Sequence, residues 1–209
     1  MIEEGILKNP DVDMVYGLHM EETIDTGTIM VKRDTVNAAS NPFKIEVKGK
    51  GAHGAYPAAA VDPIVASSQI IMALQTIVSR EINPSNSAVV TVGSIHGGTA
   101  SNIIPDEVEI GGIIRTITKE DREHSVKRVK EIAEGIARTL RTECQIEIEE
   151  SYPFLINNAN LVEMLRENAA KVIGIENVLE QKNPKMGVES FAYFANEVPS
   201  VFYFLGCRN

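Results

Sequence analysis

Histidine is the side chain best suited to proton and metal chemistry near neutral pH, and this chain has four. His53 sits in GKGAHGAYP, with glycines on both sides. Glycines let a backbone approach a ligand and leave an imidazole accessible, which makes His53 the strongest single functional residue, against the plain reading of a solvated loop histidine. His19 closes the apolar run DMVYGLH, at a strand end of the kind where α/β sheets place ligands, and Glu21 and Glu22 could add carboxylates. One histidine does not make a metal site, so the residues alone favour a simple polar strand end. His96, in SIHGGTASN, suits a turn, and His124, among Glu120, Asp121, Arg122 and Glu123, belongs to a wet helix face. The segment GGTASNIIPD (97–106) puts Ser101 and Asn102 on a tight turn that could hold a substrate amide or carboxylate, or merely decorate a hairpin. Arg115 ends an apolar strand and wants an anion, either a structural carboxylate or a substrate's. HExxH, GxSxG and P-loop patterns are absent, and neither cysteine has a neighbouring histidine.

Composition narrows the partners. Acidic residues outnumber basic ones 29 to 20, for a formal charge of −9, which argues against a polyanion. Tryptophan is absent and aromatics are 5%, so an RNA-binding sheet with stacking rings is excluded as well. Cys144 and Cys207 are far apart and form no zinc-ribbon or disulfide framework, which suits a reducing cytoplasm. No run of 18 apolar residues occurs, so no membrane span is expected. The opening MIEEGILKNP lacks the pattern of a signal peptide. It reads as the tail of a helix, with Ile2, Ile6 and Leu7 on one face and Pro10 as the stop.

The elements that position these residues follow from periodicity. Residues 13–19 and 28–32 read as buried strands. Phe43, Ile45 and Val47 alternate with Lys44, Glu46 and Lys48, a strand with one wet face. Asp62-Pro63 opens a helix to about Arg80, its apolar face including Ile64, Val65, Met72 and Val78. Ser87–Ile95 is a valine-rich strand buried on both faces, and the next strand turns Val108, Ile110 and Ile114 inward. Thr118 caps a helix with a stripe from Val126 to Leu140, and Gln145–Glu149 closes the series. The order from 41 to 150 is β-α-β-β-α-β, the ferredoxin-like arrangement of four antiparallel strands with both helices on one face. After Pro153 come a helix ended by Gly174, a glycine turn into a short helix at 186–199, and the apolar strand SVFYFL. The expectation is an α+β domain inserted into a partial α/β domain.

The stretches EEGILKNPDVDMVYGLHM, FKIEVKGKGAHGAYP, AVDPIVASSQIIMALQTIVSRE, SAVVTVGSIHGGTASNIIPDEVEIGGIIRT, MGVESFAYF and VFYFLG together closely resemble the M20 metallopeptidase family. The nearest branch is that of hippurate hydrolases, N-acyl-amino-acid amidohydrolases and indole-acetyl-amino-acid hydrolases. The resemblance implies catalytic-domain remnants at 1–36 and 151–209 around a ferredoxin-like lid at 37–150 that forms a homodimer. It implies hydrolysis of an amide next to a free carboxylate, with two divalent metal ions, usually zinc, with manganese, nickel or cobalt as alternatives. His19 then becomes a metal ligand, against the simpler reading above. His53 becomes the lid histidine that stabilises the oxyanion in the partner subunit's site. Asn102 and Arg115 become substrate binders, and Gly187 and Glu189 in MGVES a wall of the active site. The family's Cys-Gly-His segment and Glu-Glu pair are not in this sequence, Ser190 stands where Asp is usual, and Ala58 where many relatives have His. The expectation is a fragment of an N-acyl amino acid hydrolase, inactive by itself, the alternative being a non-catalytic dimerisation or ligand-binding module.

Overall fold

Past Pro10 the chain is dense in strand-favouring residues, and three strands form: β1 (Val15–Asp25), β2 (Ile29–Val31) and β3 (Asp34–Asn37). The middle supplies β4 (Ala39–Lys48), β5 (Ala52–His53), α1 (Pro63–Thr76), β6 (Ala88–Gly97), β7 (Ile103–Ile104), β8 (Glu107–Thr116), α2 (Lys119–Thr139) and β9 (Glu143–Ile148). The remainder supplies β10 (Leu155–Asn157), α3 (Ala159–Ile173), β11 (Val178–Glu180), α4 (Ala192–Glu197) and β12 (Ser200–Arg208). This computed structural model describes residues 1–209 and divides into two units, Met1–Ala39 with Tyr152–Asn209, and Ser40–Ser151. No helix is long and apolar enough to cross a membrane.

In the middle unit the sheet order is β6-β8-β4-β9, with β6/β8 and β4/β9 antiparallel. Phe43, Ile45, Val47, Val108, Ile110 and Ile114 face α1 and α2 in one buried cluster, the ferredoxin-like arrangement. Asp62 caps α1 by accepting from the Ile64 and Val65 N–H groups, and Thr118 caps α2 through Asp121 N–H. The buried face of α1 is not the expected one. Ala66, Ser67, Ile70, Leu74 and then Ile77 face inward, while Ile64, Val65 and Met72 are exposed. Almost every position of this helix is small or apolar, so hydrophobicity alone does not fix which face is buried. Its last turn is a π turn, Ile77–Glu81. β6 is an edge strand and mostly exposed, not buried on both faces. Gly49, Gly51 and Gly54 spell G-x-G-x-x-G after β4, but a short strand follows, not the helix a dinucleotide site needs. A Cβ on Gly49 would instead run into the Val61 carbonyl.

The other unit has a sheet in the order β1-β12-β2-β11 and a β3/β10 pair. β12 runs parallel to β1 and antiparallel to β2. Phe202 and Phe204 pack with Val36, Leu155 and Ala192, and Val201 with Val31, Leu161 and Val162. β1 is an edge strand with Tyr16, Leu18 and Met20 exposed on one face, so it is not the buried strand expected. Residues 2–11 are successive turns, not a helix, with Gly5 and Asn9 at positive φ interrupting any α-helical run.

Candidate active site

Strand alternation puts Gly17, His19 and Glu21 on one face of β1. Gly17 pairs with Phe202 of β12, and His19 with Phe204. A Cβ on Gly17 would lie 2.7 Å from the Phe191 ring and 2.9 Å from Phe202. Glycine here lets Phe191, Phe202 and Phe204 pack in series, tilted and then edge-to-face with centroids 5.3 and 5.6 Å apart, directly against the β1 backbone. Phe191 in turn anchors the end of the MGVES turn, two residues after Glu189.

His19 is exposed, with Nδ1 2.8 Å from the Met20 carbonyl oxygen. A carbonyl only accepts, so Nδ1 holds the proton and the neutral ring presents a free lone pair at Nε2. Metal-binding imidazoles are oriented in this way. Glu21 is buried and ion-paired with Lys185, whose ammonium also lies 4.2 Å above the Phe204 ring. The Lys185 hydrogen bond, and after it that of Thr23, hold the Glu21 carboxyl below the usual glutamate range. Glu21 is therefore not the free carboxylate that its position beside His19 suggests; Glu22 stays exposed. Gly187 accepts from Asn37 Nδ2 at 3.0 Å, and Glu189 Oε1 accepts from Phe191 N–H at 3.2 Å. His19, Glu22, Asn37, Lys185, Glu189 and Cys207 line one cavity of about 530 Å³. Sequence reasoning passed over Lys185 and Asn37, whose contacts are more than 140 residues away along the chain. The cavity suits a metal as far as one imidazole goes: nowhere in the chain do three His, Cys, Asp or Glu side chains stand together to hold an ion.

In the middle unit, β5 pairs with β7, so His53 lies opposite Ile103, and Gly54 N–H donates to the Asn102 carbonyl at 2.7 Å. His53 and Asn102 are thus brought together. Ala55 N–H donates to His53 Nδ1 at 3.1 Å, which leaves the ring proton on Nε2, a donor facing outward. A groove of about 820 Å³ runs beside them, lined by His53, His96, Ile103, Asp106 and Glu109. Arg115 is not in it. It lies opposite Val89, eight residues along β8 from Glu107, or roughly 25 Å at strand rise. His124 is not simply wet: its Nε2 is 3.0 Å from Glu81, which also accepts from Arg128.

Residues 39–140 match the family model described as the M20 peptidase dimerisation domain. Residues 39–140 are therefore an M20-type peptidase dimerisation domain. The chain is 38% identical over 206 residues to N-acetyl-L-cysteine deacetylase of Bacillus subtilis (strain 168), covering 99% of this chain and 48% of that protein. It is 35% identical over 213 residues to IAA-amino acid hydrolase ILR1-like 4 of Arabidopsis thaliana, covering 100% and 48%. Among solved structures, the Bacillus subtilis YXEP protein, described as a dinuclear metal binding peptidase from the M20 family, superposes with a TM-score of 0.79 at 29% identity, covering 98% of this chain and 50% of that one. The chain spans about half the length of the curated relatives it matches.

Proposed function

We propose that this chain is part of an M20-type metal-dependent hydrolase that cleaves the amide of N-acyl amino acids. The observation that carries this reading is the opposite setting of two imidazoles. His19 donates its Nδ1–H to a carbonyl and keeps a lone pair at Nε2, whereas His53 accepts at Nδ1 and keeps a proton at Nε2. The first suits a metal ligand and the second an oxyanion donor. The M20 relatives named above are an N-acyl deacetylase and an amino acid conjugate hydrolase, which supports the same substrate class. Divalent metal ions, when bound, would polarise the scissile carbonyl and acidify a water. His19 supplies one lone pair to such a centre, and the others come from outside this cavity.

His53 donates Nε2–H to the oxyanion in the site of a second copy. Asn102 hydrogen-bonds the same substrate beside His53. Arg115, roughly 25 Å away along β8, holds a free carboxylate by a charge-assisted pair only where a different copy supplies His53 and Asn102, and Glu189 and Gly187 serve as cleft walls. Residues 37–150 serve as the lid, with 1–36 and 151–209 as catalytic-domain segments. The lid offers a second copy the open edge of β6 and the exposed α1 face, where Met72 is 72% exposed. The two free thiols fit a cytoplasmic setting.

The test is hydrolysis of N-acetyl and N-benzoyl amino acids, with zinc or manganese, by the protein that carries this chain. Turnover abolished by a chelator is expected; turnover indifferent to it would refute the reading. His53→Ala should lower turnover about 100-fold or more with metal content unchanged. Loss of metal along with activity would remove the oxyanion role. The 209-residue chain alone should show no turnover, since no three ligating side chains in it come together. Its light-scattering mass should be that of a dimer. An inactive full-length protein that still dimerises would instead favour a non-catalytic dimerisation module.

A further inference from the structure

We propose that Arg122 is a latch that, acting through Asn41, welds the two chain crossings of the Ser40–Ser151 unit into one stiff strap, and that its release lets this unit swing. The latch holds whether or not the hydrolase reading does. The chain enters the unit at Ala39–Ser40 and leaves it at Ser151–Tyr152. The last backbone pair of the β4/β9 ladder is Phe43 with Ile148. Continued outward, that register sets Pro42 opposite Glu149 and Ser40 opposite Ser151. Glu149 N–H donates to the Pro42 carbonyl at 2.9 Å, and Ser151 N–H to the Ser40 carbonyl at 3.2 Å. Proline has no N–H, so Pro42 cannot return the bond that a hydrogen-bonded antiparallel pair exchanges. The Asn41 side chain returns it instead: Nδ2 donates to the Glu149 carbonyl at 2.8 Å.

Arg122 fixes the direction of that amide. Its Nε donates to Asn41 Oδ1 at 2.7 Å, which turns Nδ2 toward Glu149. The same guanidinium reaches the Ser40 carbonyl at 3.5 Å and Glu150 at 3.3 Å, so one rigid fork touches both crossings. Ser40 and Asn41 are buried and the Arg122 side chain is 12% exposed, whereas that of Glu150 is 83% exposed. The anchor itself is firm. Arg122 lies in the first turn of α2 beside Asp121, whose carboxylate accepts from Asn86 Nδ2 at 2.8 Å and Thr118 Oγ1 at 2.7 Å. A cation in a first turn opposes the helix dipole, so helix stability does not account for arginine there. Its partners do, at residues 40, 41 and 150, the two ends of the unit. With them tied, bending is confined to the peptides at Ala39 and Tyr152. Untied, each crossing is a single strand that turns by itself.

The test is backbone relaxation and hydrogen exchange, followed by NMR on the isotope-labelled 209-residue chain. In the unaltered chain the Ser40, Asn41 and Ser151 amides should be as rigid as the rest of β4, with order parameters of about 0.85. In Arg122→Met, exchange of the Glu149 and Ser151 amides should quicken about ten-fold or more, while Ile45 and Val47, deep in the ladder, keep their protection. The rotational correlation times of the two units should fall at the same time. Arg122→Lys keeps the charge but not the fork and should behave like the methionine variant. Glu150→Gln should change nothing, because so exposed a pair contributes little. Order parameters below about 0.6 at Ser40 and Ser151 in the unaltered chain would overturn the latch, a result that stands even if the methionine variant does not fold. Unchanged exchange in Arg122→Met would overturn it too. So would a loss of protection that reaches Ile45 and Val47, the mark of an ordinary packing residue. Full rescue by lysine would remove the relay through Asn41. Strap amides that loosen with no change in tumbling would show that the strap does not hold the unit, and the latch falls.

Discussion

Asn157→Ala should be among the most damaging single substitutions in the unit that carries His19. The reason is visible in the ladder between β2 and β12. Tyr203 pairs with Val31, so Phe202 would meet Lys32 next, but β2 has ended. The Asn157 amide fills that gap as a side-chain copy of a peptide group. Its Nδ2 donates to Lys32 O and Phe202 O, both at 2.8 Å, and its Oδ1 accepts from Phe202 N–H at 2.7 Å. The residue is 3% exposed. Alanine leaves the Phe202 N–H and carbonyl without partners in a buried place, at about 1–3 kcal/mol each, and a third acceptor at Lys32. A net cost of about 3–4 kcal/mol is expected, because water admitted to the space left by the amide recovers part of the loss. The chain has two units, so the best assay is local: hydrogen exchange of the Phe202 and Tyr203 amides under native conditions. Protection there should fall by roughly 10²–10³, since 1.4 kcal/mol is a factor of ten. Asn157→Asp should be no better, because its carboxylate faces two carbonyls. A change below about 1 kcal/mol, with Phe202 still protected, would refute this account of how β12 is held where β2 ends.

Other outcomes follow from the middle unit. Asp62→Ala removes the acceptor for Ile64 and Val65 N–H, at 2.9 and 3.2 Å, and should cost about 1 kcal/mol in urea titrations. Ile70→Ala, at a wholly buried position between sheet and helices, should cost about 2–5 kcal/mol by the same measurement. The Arg128 guanidinium, and less strongly His124, hold the Glu81 carboxyl below its ordinary value of about 4.3. A lowered carboxylate stabilises the fold fully above that value and loses its contribution as pH falls through the folded pKa. Glu81→Gln should therefore lower stability at pH 6 and flatten its dependence below about pH 4.3, as read by denaturation at a series of pH values. An acid limb unchanged in the variant would remove Glu81 as its source.

The parts of the fold that could be read from sequence are those where one face must be wet and the other dry. Phe43, Ile45 and Val47 against Lys44, Glu46 and Lys48 leave a single solution, and the strand sits as expected with the three apolar residues buried. Capping chemistry was equally legible at Asp62 and Thr118. Periodicity misled where contrast was lacking, as on α1, whose run of small and apolar residues allows several faces. On β1 and β6 apolar composition likewise suggests burial, yet both strands lie at sheet edges. For the site, the residue types were legible and their partners were not. His19 and His53 stood out by their setting, but the tautomer of each depends on one backbone group, Met20 O or Ala55 N–H. No pattern in a one-dimensional string signals that Glu21 is taken by Lys185, or that Asn37 holds the Gly187 carbonyl, because those pairs meet only when β3 and the segment at Lys185 come side by side. A neighbouring carboxylate in sequence is thus poor guidance to a metal ligand: its charge belongs to whichever cation the fold delivers first.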